Sequence, residues 1–256
     1  MKLKNKTILI TGGSSGIGLE LTRRLIALDN TVIITGRDID KLHAAKSMLP
    51  PVHIIRSDVS DVAAIAALHA QVTAQFPALD VLINNAGIMR NLDLNDTRHG
   101  VADVTREIDI NLSGPLRMVQ QFLPHLKMQK EAAIINVSSG LAFIPFVSSP
   151  VYSATKAALH SYSQALRVQL RGSSVTVIEL APPGTETPLF RDEFKEEVKD
   201  MKAMDVKVLA EHAIKGIEAG RLEIRPGLSN VLKLMSRLAP EFMLNQLAKS
   251  FRPTGV

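Results

Sequence analysis

The chain has 256 residues, carries a net charge of +5, contains 46% hydrophobic and 4% aromatic residues, and has no cysteine. It is long enough to bury the core of one domain, which we place at residues 1–256, and it can form neither a disulfide nor a thiolate nucleophile. The positive charge is spread along the chain without interleaved aromatic residues, which argues against a nucleic-acid surface.

Short apolar runs alternate with amphipathic segments along the chain. The runs predict strands at residues 6–10, 31–35, 52–56, 79–83, 132–137, 174–180 and 221–225. This alternation predicts an α/β fold, a Rossmann-type, doubly wound, mostly parallel sheet of about seven strands with helices on both faces. The runs are far shorter than the ~20 residues that cross a bilayer, and the first is too short for a secretory leader, so we expect a cytoplasmic protein.

The first predicted strand leads into a glycine-rich turn at residues 11–18, Thr-Gly-Gly-Ser-Ser-Gly-Ile-Gly. Its glycines permit a tight turn close to a pyrophosphate, and the following helix, to about Leu28, points its N-terminus at that anion. We predict that a dinucleotide contacts Gly12, Ser14, Ser15, Gly16, Ile17 and Gly18. The turn also matches the Gly-x-Ser-x-Gly elbow of α/β-hydrolases, but only one strand precedes it, whereas that elbow lies deep in its sheet.

The end of the second strand bears on the choice of cofactor. Gly36 stands where NAD-dependent enzymes commonly place an acidic residue, and Arg37 follows. A guanidinium suits a 2′-phosphate, so NADP(H) is favoured over NAD(H). Asp38 and Asp40 are alternative ribose ligands after a shift of one or two residues, although Asp38 is better explained as the cap of the next helix.

Tyr152 and Lys156 stand four residues apart in a segment that we expect to be helical over residues 150–170, and Ser139 lies thirteen residues before the tyrosine. A spacing of four places both side chains on one helix face. An ammonium beside a phenol lowers the phenol pKa from ~10 towards the neutral range. Such a pair moves a proton to or from an alcohol or carbonyl oxygen.

Together these features resemble the classical short-chain dehydrogenase/reductase family over roughly residues 4–226. The resemblance is carried by the glycine motif at 11–18, Asn84-Asn85-Ala86-Gly87, Asn111, Ser139, the pair Tyr152 and Lys156, and Pro183-Gly184-x-x-Thr187. The segments 145–171 and 221–240 also resemble the DltE-like branch of that family.

The resemblance implies a catalytic set of Asn111, Ser139, Tyr152 and Lys156. Hydride passes between nicotinamide C4 and a carbonyl carbon, while Ser139 holds the oxygen and Tyr152 donates the proton. Lys156 lowers the tyrosine pKa and binds the nicotinamide ribose. Asn111 bends its helix and holds a water that relays protons through Lys156. Ser138 is the other candidate for the serine role, but the family spacing selects Ser139.

The resemblance also implies further cofactor contacts. Asp58 accepts a hydrogen bond from the adenine amino group, with a cap on the helix starting near Asp61 as the alternative. Asn84 to Gly87 line the ribose side, and Thr187 fixes the carboxamide. The complete set of these contacts is Val59, Asn85, Ala86, Gly87, Tyr152, Lys156, Pro183, Gly184 and Thr187, together with Asp58. A homodimer or homotetramer is implied as well.

Two other functions fit part of the pattern. Enoyl reductases resemble a divergent branch in which the tyrosine and lysine are six or seven residues apart, a spacing that this chain lacks. A catalytically silent NADP-binding sensor or scaffold is the main alternative. The complete set of four catalytic residues disfavours it, because a protein that only binds needs none of the proton chemistry.

The substrate and metal predictions rest on weaker patterns. Apolar residues between Ser139 and Tyr152, and in a lid predicted at 188–205, indicate a lipophilic carbonyl or alcohol substrate. The seven histidines show no His-x-x-x-His spacing, so no metal site is predicted. His160 continues the helix face of Tyr152 and Lys156, and we expect it to pack against a neighbouring helix or subunit.

Residues 228–256 form a predicted amphipathic tail. Large apolar residues recur at roughly helical spacing around Pro240, and basic residues outnumber acidic ones six to two from Arg221 onwards. Such a segment is able to lie on an anionic membrane surface. We favour instead that it covers the substrate cleft or a second subunit, because so many large apolar side chains favour a protein partner.

Overall fold

The computed structural model describes residues 1–96, 98–192, 194, 202–249 and 251. Its strands are β1 Thr7–Thr11, β2 Thr31–Gly36, β3 His53–Arg56, β4 Leu79–Asn84, β5 Ala132–Val137, β6 Val175–Leu180 and β7 Glu223–Ile224. They form one sheet in the order β3-β2-β1-β4-β5-β6-β7, and every neighbouring pair is parallel. The predicted fold class is confirmed, and every predicted strand is present, although β7 is shorter than expected.

Helices connect the strands. They are α1 Gly16–Ile26, α2 Ile39–Met48, α3 Val62–Gln75, α4 Val101–Ile108, α5 Gly114–Met128, α6 Pro150–Gln169, α7 Pro188–Arg191, α8 Val206–Glu218, α9 Leu228–Leu238 and α10 Pro240–Ala248. A π-helical segment, Asp109–Ser113, joins α4 to α5, and a 3₁₀ turn, Gly140–Ala142, follows β5. Asp38, Asp61 and Asp205 cap α2, α3 and α8, because each carboxylate accepts two backbone N–H groups at the helix start.

The sheet buries both of its faces. In β1, Ile8 and Ile10 pack in one apolar cluster with residues of α1, α2 and α8. Leu9, which points to the opposite face, packs in a second cluster with residues of α3, α5 and α6. Because successive side chains of a strand alternate between faces, a strand buried on both sides is a continuous apolar run. This explains why the strands were recognisable in the sequence.

The order of the strands reverses between β1 and β4. From β1 the chain builds outwards through β2 and β3, and it then returns to the other side of β1 with β4. In open parallel sheets, a crevice forms outside the carboxyl ends of the strands at such a switch point, and ligands bind there. The glycine turn after β1 and the Asn84–Gly87 motif after β4 both lie at this crevice.

The C-terminal helices lie partly against the body of the protein. A Cβ added to Gly140 would lie 2.7 Å from Ser229 Oγ, so α9 packs closely on the 3₁₀ turn. Leu247 of α10 packs against a cluster that contains Met89 and Tyr152. The outer face of the two helices stays exposed at Leu228, Val231, Leu234, Leu238 and Phe242. Within the described residues, none of the helices is long and apolar enough to span a bilayer.

The predicted lid falls partly outside the described residues. Residues 188–191 form α7, and Phe194 is fully buried. Residues 193 and 195–201 lie outside the described part of the chain, as do 250 and 252–256 of the predicted tail. The functions of the lid and of the tail therefore stay predictions.

Candidate active site

The glycine turn closes tightly against the chain that follows β4. Gly12 and Gly16 have φ angles of +66° and +52°, which favour glycine, and a Cβ at Gly12 would lie 2.8 Å from Ala86 Cα. The Thr11 hydroxyl accepts hydrogen bonds from Asn85 N and Ala86 N, both at 3.0 Å. The Asn85 amide donates to Thr11 O and Gly12 O at 3.0 Å. Two motifs that are far apart in the sequence thus form one wall of the crevice.

The start of α1 suits a phosphate. Ser15 is its N-cap residue, Ile17 lies in its first turn, and that turn carries no acidic residue. A Cβ at Gly18 would lie 2.3 Å from Gly12 O, so only glycine permits this approach of helix and turn. The positive end of the helix dipole and its free N–H groups are therefore directed at the crevice.

A cleft continues from the glycine turn across the ends of β2 and β3. It is lined by Gly12, Ser14, Thr35, Gly36, Arg37, Asp38, Ser57, Asp58, Val59, Ala86, Gly87, Ile88 and Ile110. Many of the predicted cofactor contacts are in this set, whereas Thr35, Ser57, Ile88 and Ile110 were not predicted. Within the described residues, the buried Thr35 hydroxyl has no hydrogen-bond partner. A cleft with an unsatisfied hydroxyl and a glycine cradle fits the adenosine half of a dinucleotide.

The acidic residues near this cleft have distinct roles. Asp38 accepts from Asp40 N and Lys41 N at 3.0 and 3.1 Å, so it caps α2 as expected. Asp58 accepts from the backbone N–H and the hydroxyl of Ser60 at 2.9 and 2.7 Å. The cap of α3 is Asp61. The alternative in which Asp58 caps this helix is therefore wrong, and its second carboxylate oxygen faces Arg37.

The guanidinium of Arg37 is half exposed beside the cleft. Its Nε lies 4.0 Å from Asp58 Oδ2. Arg56 at the end of β3 donates from Nε to the Arg37 carbonyl at 3.1 Å. This second arginine was missed in the sequence, because its position beside Arg37 depends on the parallel register of β2 and β3.

The predicted catalytic side chains meet at the carboxyl end of β5. Ser139, Tyr152 and Lys156 are each less than a tenth exposed. Lys156 Nζ lies 5.5 Å from the centroid of the Tyr152 ring and donates to Val137 O at 2.9 Å. Ser139 begins the 3₁₀ turn, and its Oγ accepts from Leu141 N at 3.1 Å. The helical spacing therefore places the lysine beside the tyrosine, and the Ser139 hydroxyl bonds to the phenol of Tyr152.

Asn111 lies in the π-helical segment between α4 and α5 and is fully buried. Its side chain pairs with the backbone of Ile88, accepting from N at 2.9 Å and donating to O at 2.8 Å. A Cβ at Gly87 would lie 3.2 Å from Asn111 Oδ1 and 3.7 Å from Lys156 Nζ. The irregular helix thus brings Asn111 next to Lys156, with Gly87 leaving the space between them open.

The motif after β6 lies across the glycine turn. A Cβ at Gly16 would lie 3.3 Å from the methyl group of Thr187. Gly184 O accepts from Met204 N at 2.8 Å, and a Cβ there would meet the ring of Phe190 at 2.9 Å. The structure therefore brings Thr187 to the glycine turn, and Pro183 and Gly184 precede it on the same segment.

The pKa of Tyr152 differs from the prediction. Burial raises it to about 12; the Ser139 hydroxyl lowers it, and the negative charge of Glu107 raises it further. Burial lowers the pKa of Lys156 to about 8, against the effect of Glu179. The pKa of Tyr152 is therefore raised rather than lowered as predicted, because the loss of water around the phenol is the largest effect on it. At neutral pH the phenol keeps its proton, as a proton donor requires.

Three ionisable residues near the site were not predicted to have a role. Glu107 of α4 is fully buried and accepts from Arg90 N at 3.1 Å. Glu179 of β6 is also fully buried and bonds to His160 Nδ1 at 2.7 Å. His160 thus pairs with a strand carboxylate and contacts the Phe143 ring edge-on, and its expected packing against a helix or subunit stays a prediction. A glutamate inside the apolar strand Val175–Leu180 was the available sequence signal.

Comparisons with known proteins identify the family of the chain. Residues 6–198 match the family model described as short chain dehydrogenase. An uncharacterized oxidoreductase named DltE, from Bacillus subtilis (strain 168), is 43% identical over 88% of this chain and 89% of that protein. A short chain dehydrogenase/reductase from Burkholderia phymatum in complex with NAD has a TM-score of 0.85 at 21% identity, covering 100% of both chains. One from Sphingobium yanoikuyae in complex with NADPH has a TM-score of 0.80 at 25% identity, covering 98% of each.

The chain therefore belongs to the short-chain dehydrogenase/reductase family. Its identity with DltE places it in the DltE-like branch, and both predicted resemblances are confirmed. The predicted enzyme class, an oxidoreductase, is confirmed as well.

Proposed function

We propose that the protein interconverts a ketone or aldehyde and an alcohol with NADP(H), and that Tyr152 is the general acid and base. The observation that carries this proposal is the convergence of Ser139, Tyr152 and Lys156 at the same crevice as the glycine turn. The family model supports it, and solved structures of similar fold are described as complexes with NAD or NADPH.

The cofactor, when bound, supplies hydride exchange with the carbonyl carbon. The turn from Gly12 to Gly18 and the start of α1 would hold its phosphates. The cleft that includes Thr35 and Asp58 would hold the adenosine, and Thr187, which lies next to Gly16, would hold the nicotinamide carboxamide. The glycine cradle and the cleft described above support these assignments.

Side chains of the protein bind the substrate oxygen and transfer the proton to it. The hydroxyls of Ser139 and Tyr152 hold the substrate oxygen, and Tyr152 transfers its proton to that oxygen as hydride arrives at carbon. Lys156 stabilises the phenolate that remains, because its ammonium lies beside the ring. Asn111, next to Lys156, holds the water that returns a proton. Oxidation of an alcohol reverses these steps.

The preference for NADP(H) rests on charge at the end of β2. Gly36 offers no carboxylate to the ribose, and a Cβ there would lie 3.6 Å from Ser14 Oγ. Asp38 is engaged as the cap of α2. Arg37 is the half-exposed cation at this point and suits a 2′-phosphate.

The proposed substrate is lipophilic. Met89, Phe146 and Phe194 form an apolar cluster around Tyr152. Leu141, Phe190 and Leu247 pack against this cluster. A carbonyl group with an alkyl or aromatic substituent therefore finds apolar contacts next to the proton donor. Homo-oligomerisation and the cytoplasmic location stay predictions.

The two tyrosines of the chain allow a matched experiment. NADPH oxidation is followed with a panel of aliphatic and aromatic aldehydes and ketones, for the wild type, Tyr152→Phe and Tyr162→Phe. Tyr152→Phe should lose on the order of 10²- to 10⁴-fold in turnover while NADPH binding is kept, because only the proton donor is removed. Tyr162→Phe, on the same helix, should keep both.

Two outcomes would contradict the proposal. Turnover of Tyr152→Phe within a few-fold of the wild type means that the proton comes from another group. A wild-type protein that binds NADPH and turns over no member of the panel supports the alternative of a catalytically silent sensor or scaffold.

A further inference from the structure

Behind the catalytic lysine lies a buried carboxylate that the mechanism above does not use. Glu179 is fully buried in β6, where it is in register with Asn136 of β5 and Glu223 of β7. A carboxylate buried without partners is costly, so a charge at this position requires compensation. The groups around it show where the compensation comes from.

Both oxygens of this carboxylate are held. Ser138 donates from Oγ to Oε1 at 2.5 Å, and His160 Nδ1 bonds to Oε2 at 2.7 Å. The amide nitrogen of Gln164 lies 3.0 Å from His160 Nε2. Glu179 and Gln164 thus engage the two ring nitrogens of His160, one each.

The groups that hold this carboxylate are close in sequence to two of the proposed catalytic residues. Ser138 directly precedes Ser139, and His160 lies one helical turn after Lys156. Lys156 is bonded to Val137 O, and Val137 is adjacent to Asn136, the register partner of Glu179. The Lys156 ammonium therefore reaches β5 next to the position that pairs with Glu179 of β6, and both residues are buried.

We propose that Glu179, held by Ser138 and His160, is a positioning residue that keeps Lys156 in its charged form. Burial alone drives Lys156 towards the neutral amine, and the charge of Glu179 opposes this. A neutral amine cannot stabilise the phenolate that Tyr152 leaves after proton transfer. The inference rests on the proposed oxidoreductase function and adds the group that sets the charge of its lysine.

The other charged groups nearby do not replace Glu179 in this role. Glu223 of β7 lies beside it, but Lys233 and Arg225 both bond to the Glu223 carboxylate. Partial burial raises the pKa of Glu223, and these two bonds more than offset that effect, so its pKa is lowered. Glu107 of α4 acts on Tyr152 rather than on Lys156.

A metal ion is a poorer explanation of the same cluster. Ligand atoms of His160, Glu179 and Glu223 lie within 4.8 Å of one another. Two cationic side chains, Arg225 and Lys233, already neutralise the Glu223 carboxylate through its Oε1, and each oxygen of Glu179 bonds to a protein group. A dication would have to compete with these groups, so charge on the lysine is the better account.

The test is a direct titration of Lys156. Lysine labelled at the ε-carbon is observed by NMR across the pH range in the full chain, and the Lys156 resonance is assigned with Lys156→Arg. Wild type should titrate near pH 8. Glu179→Gln should lower the midpoint by about one pH unit, because a nearby opposite charge contributes at least that much. Glu179→Asp, which keeps the charge, should stay closer to the wild type.

Glu223→Gln is the matched control, since it removes the same charge one strand away. In Glu223→Gln, the Lys156 titration midpoint should differ from the wild-type midpoint by only a small fraction of the shift measured in Glu179→Gln. An unchanged or raised midpoint in Glu179→Gln overturns the inference, and so does an equal shift in Glu223→Gln. Because the titration needs no turnover, its outcome is separate from that of the proposed reaction.

A second measurement covers the case in which Glu179→Gln does not fold. Removing both members of a buried charged pair leaves no uncompensated charge, so the double variant Glu179→Gln with Lys156→Met should fold. A double variant that unfolds like Glu179→Gln shows that Glu179 supports the fold independently of Lys156, which overturns the inference. In folded Glu179→Gln, kcat should fall more than KM rises, and the loss should shrink as the pH is lowered and Lys156 regains its proton.

Discussion

The buried charge of Lys156, which the proposed reaction uses, lowers the free energy of unfolding of the protein. Its side chain is buried, and its pKa falls from 10.5 to about 8 because burial outweighs the opposing effect of Glu179. At about 1.4 kcal/mol per pH unit, holding the ammonium in the folded state near neutral pH costs about 3 kcal/mol. Lys156→Met removes the charge and keeps the length of the side chain. Allowing about 1 kcal/mol for the lost hydrogen bond to Val137 O, we expect a gain of about 2 kcal/mol.

The pH dependence gives this prediction a definite sign. Below about pH 8 the lysine is charged in both the folded and the unfolded state, so the wild type is destabilised by the whole free energy of burying the ammonium. Between about 8 and 10.5 the unfolded chain binds more protons than the folded one, and the stability of the wild type therefore rises with pH. The advantage of Lys156→Met should be largest near neutral pH and should disappear as the pH approaches 10.

Urea denaturation of both proteins without cofactor, at neutral and at alkaline pH, measures the difference. At roughly 2–4 °C per kcal/mol for a chain of this size, the melting temperature should rise by roughly 4–8 °C at neutral pH. Lys156→Arg is the control, because it keeps a positive charge and should bring no such gain. The reasoning is refuted if Lys156→Met is no more stable than the wild type at neutral pH, or if its advantage does not change with pH.

Two further predictions concern the cofactor and the tail. Arg37→Ala should raise the KM for NADPH by about 10- to 100-fold, as expected for the loss of a charge-assisted hydrogen bond, and should leave the KM for NADH nearly unchanged. A wild type that prefers NADH, or an equal effect on both cofactors, contradicts the proposed role of Arg37. Deletion of residues 228–256 should weaken substrate affinity and alter solubility or oligomeric state, because α9 packs on Gly140 and Leu247 packs near Tyr152. Full-length protein that sediments with anionic liposomes, together with a truncated form that is soluble, unchanged in mass and fully active, supports the membrane alternative instead.

The sheet and the main motifs were predictable because each depends on local chain properties. Strands buried on both faces are continuous apolar runs, and the glycine turn requires φ angles that other residues adopt at a cost. Tyr152 and Lys156 share a face because the helix repeats every 3.6 residues. The choice of Ser139 over Ser138 needed the family spacing. The structure assigns Ser138 elsewhere, as the donor to Glu179.

Other features depended on distances that no local pattern encodes. Asp58 and Asp61 are both plausible caps three residues apart, and only the actual start of α3 separates them. Arg56 joins Arg37 through the register of two strands. The rise of the Tyr152 pKa required the burial of the ring, since the sequence shows the neighbouring lysine but not the loss of water.

The sequence by itself thus determined the fold class and the glycine cradle, because these follow from periodicity and from short fixed spacings, and the proposed catalytic set came from its resemblance to the family. Only the tertiary structure decided how the ionisable groups are paired and how strongly they are desolvated. Glu179 and His160 lie 19 residues apart in the chain and meet because α6 packs against β6. Electrostatic energies depend on the distance between charges and on their exposure to water, and both are set by packing rather than by local sequence.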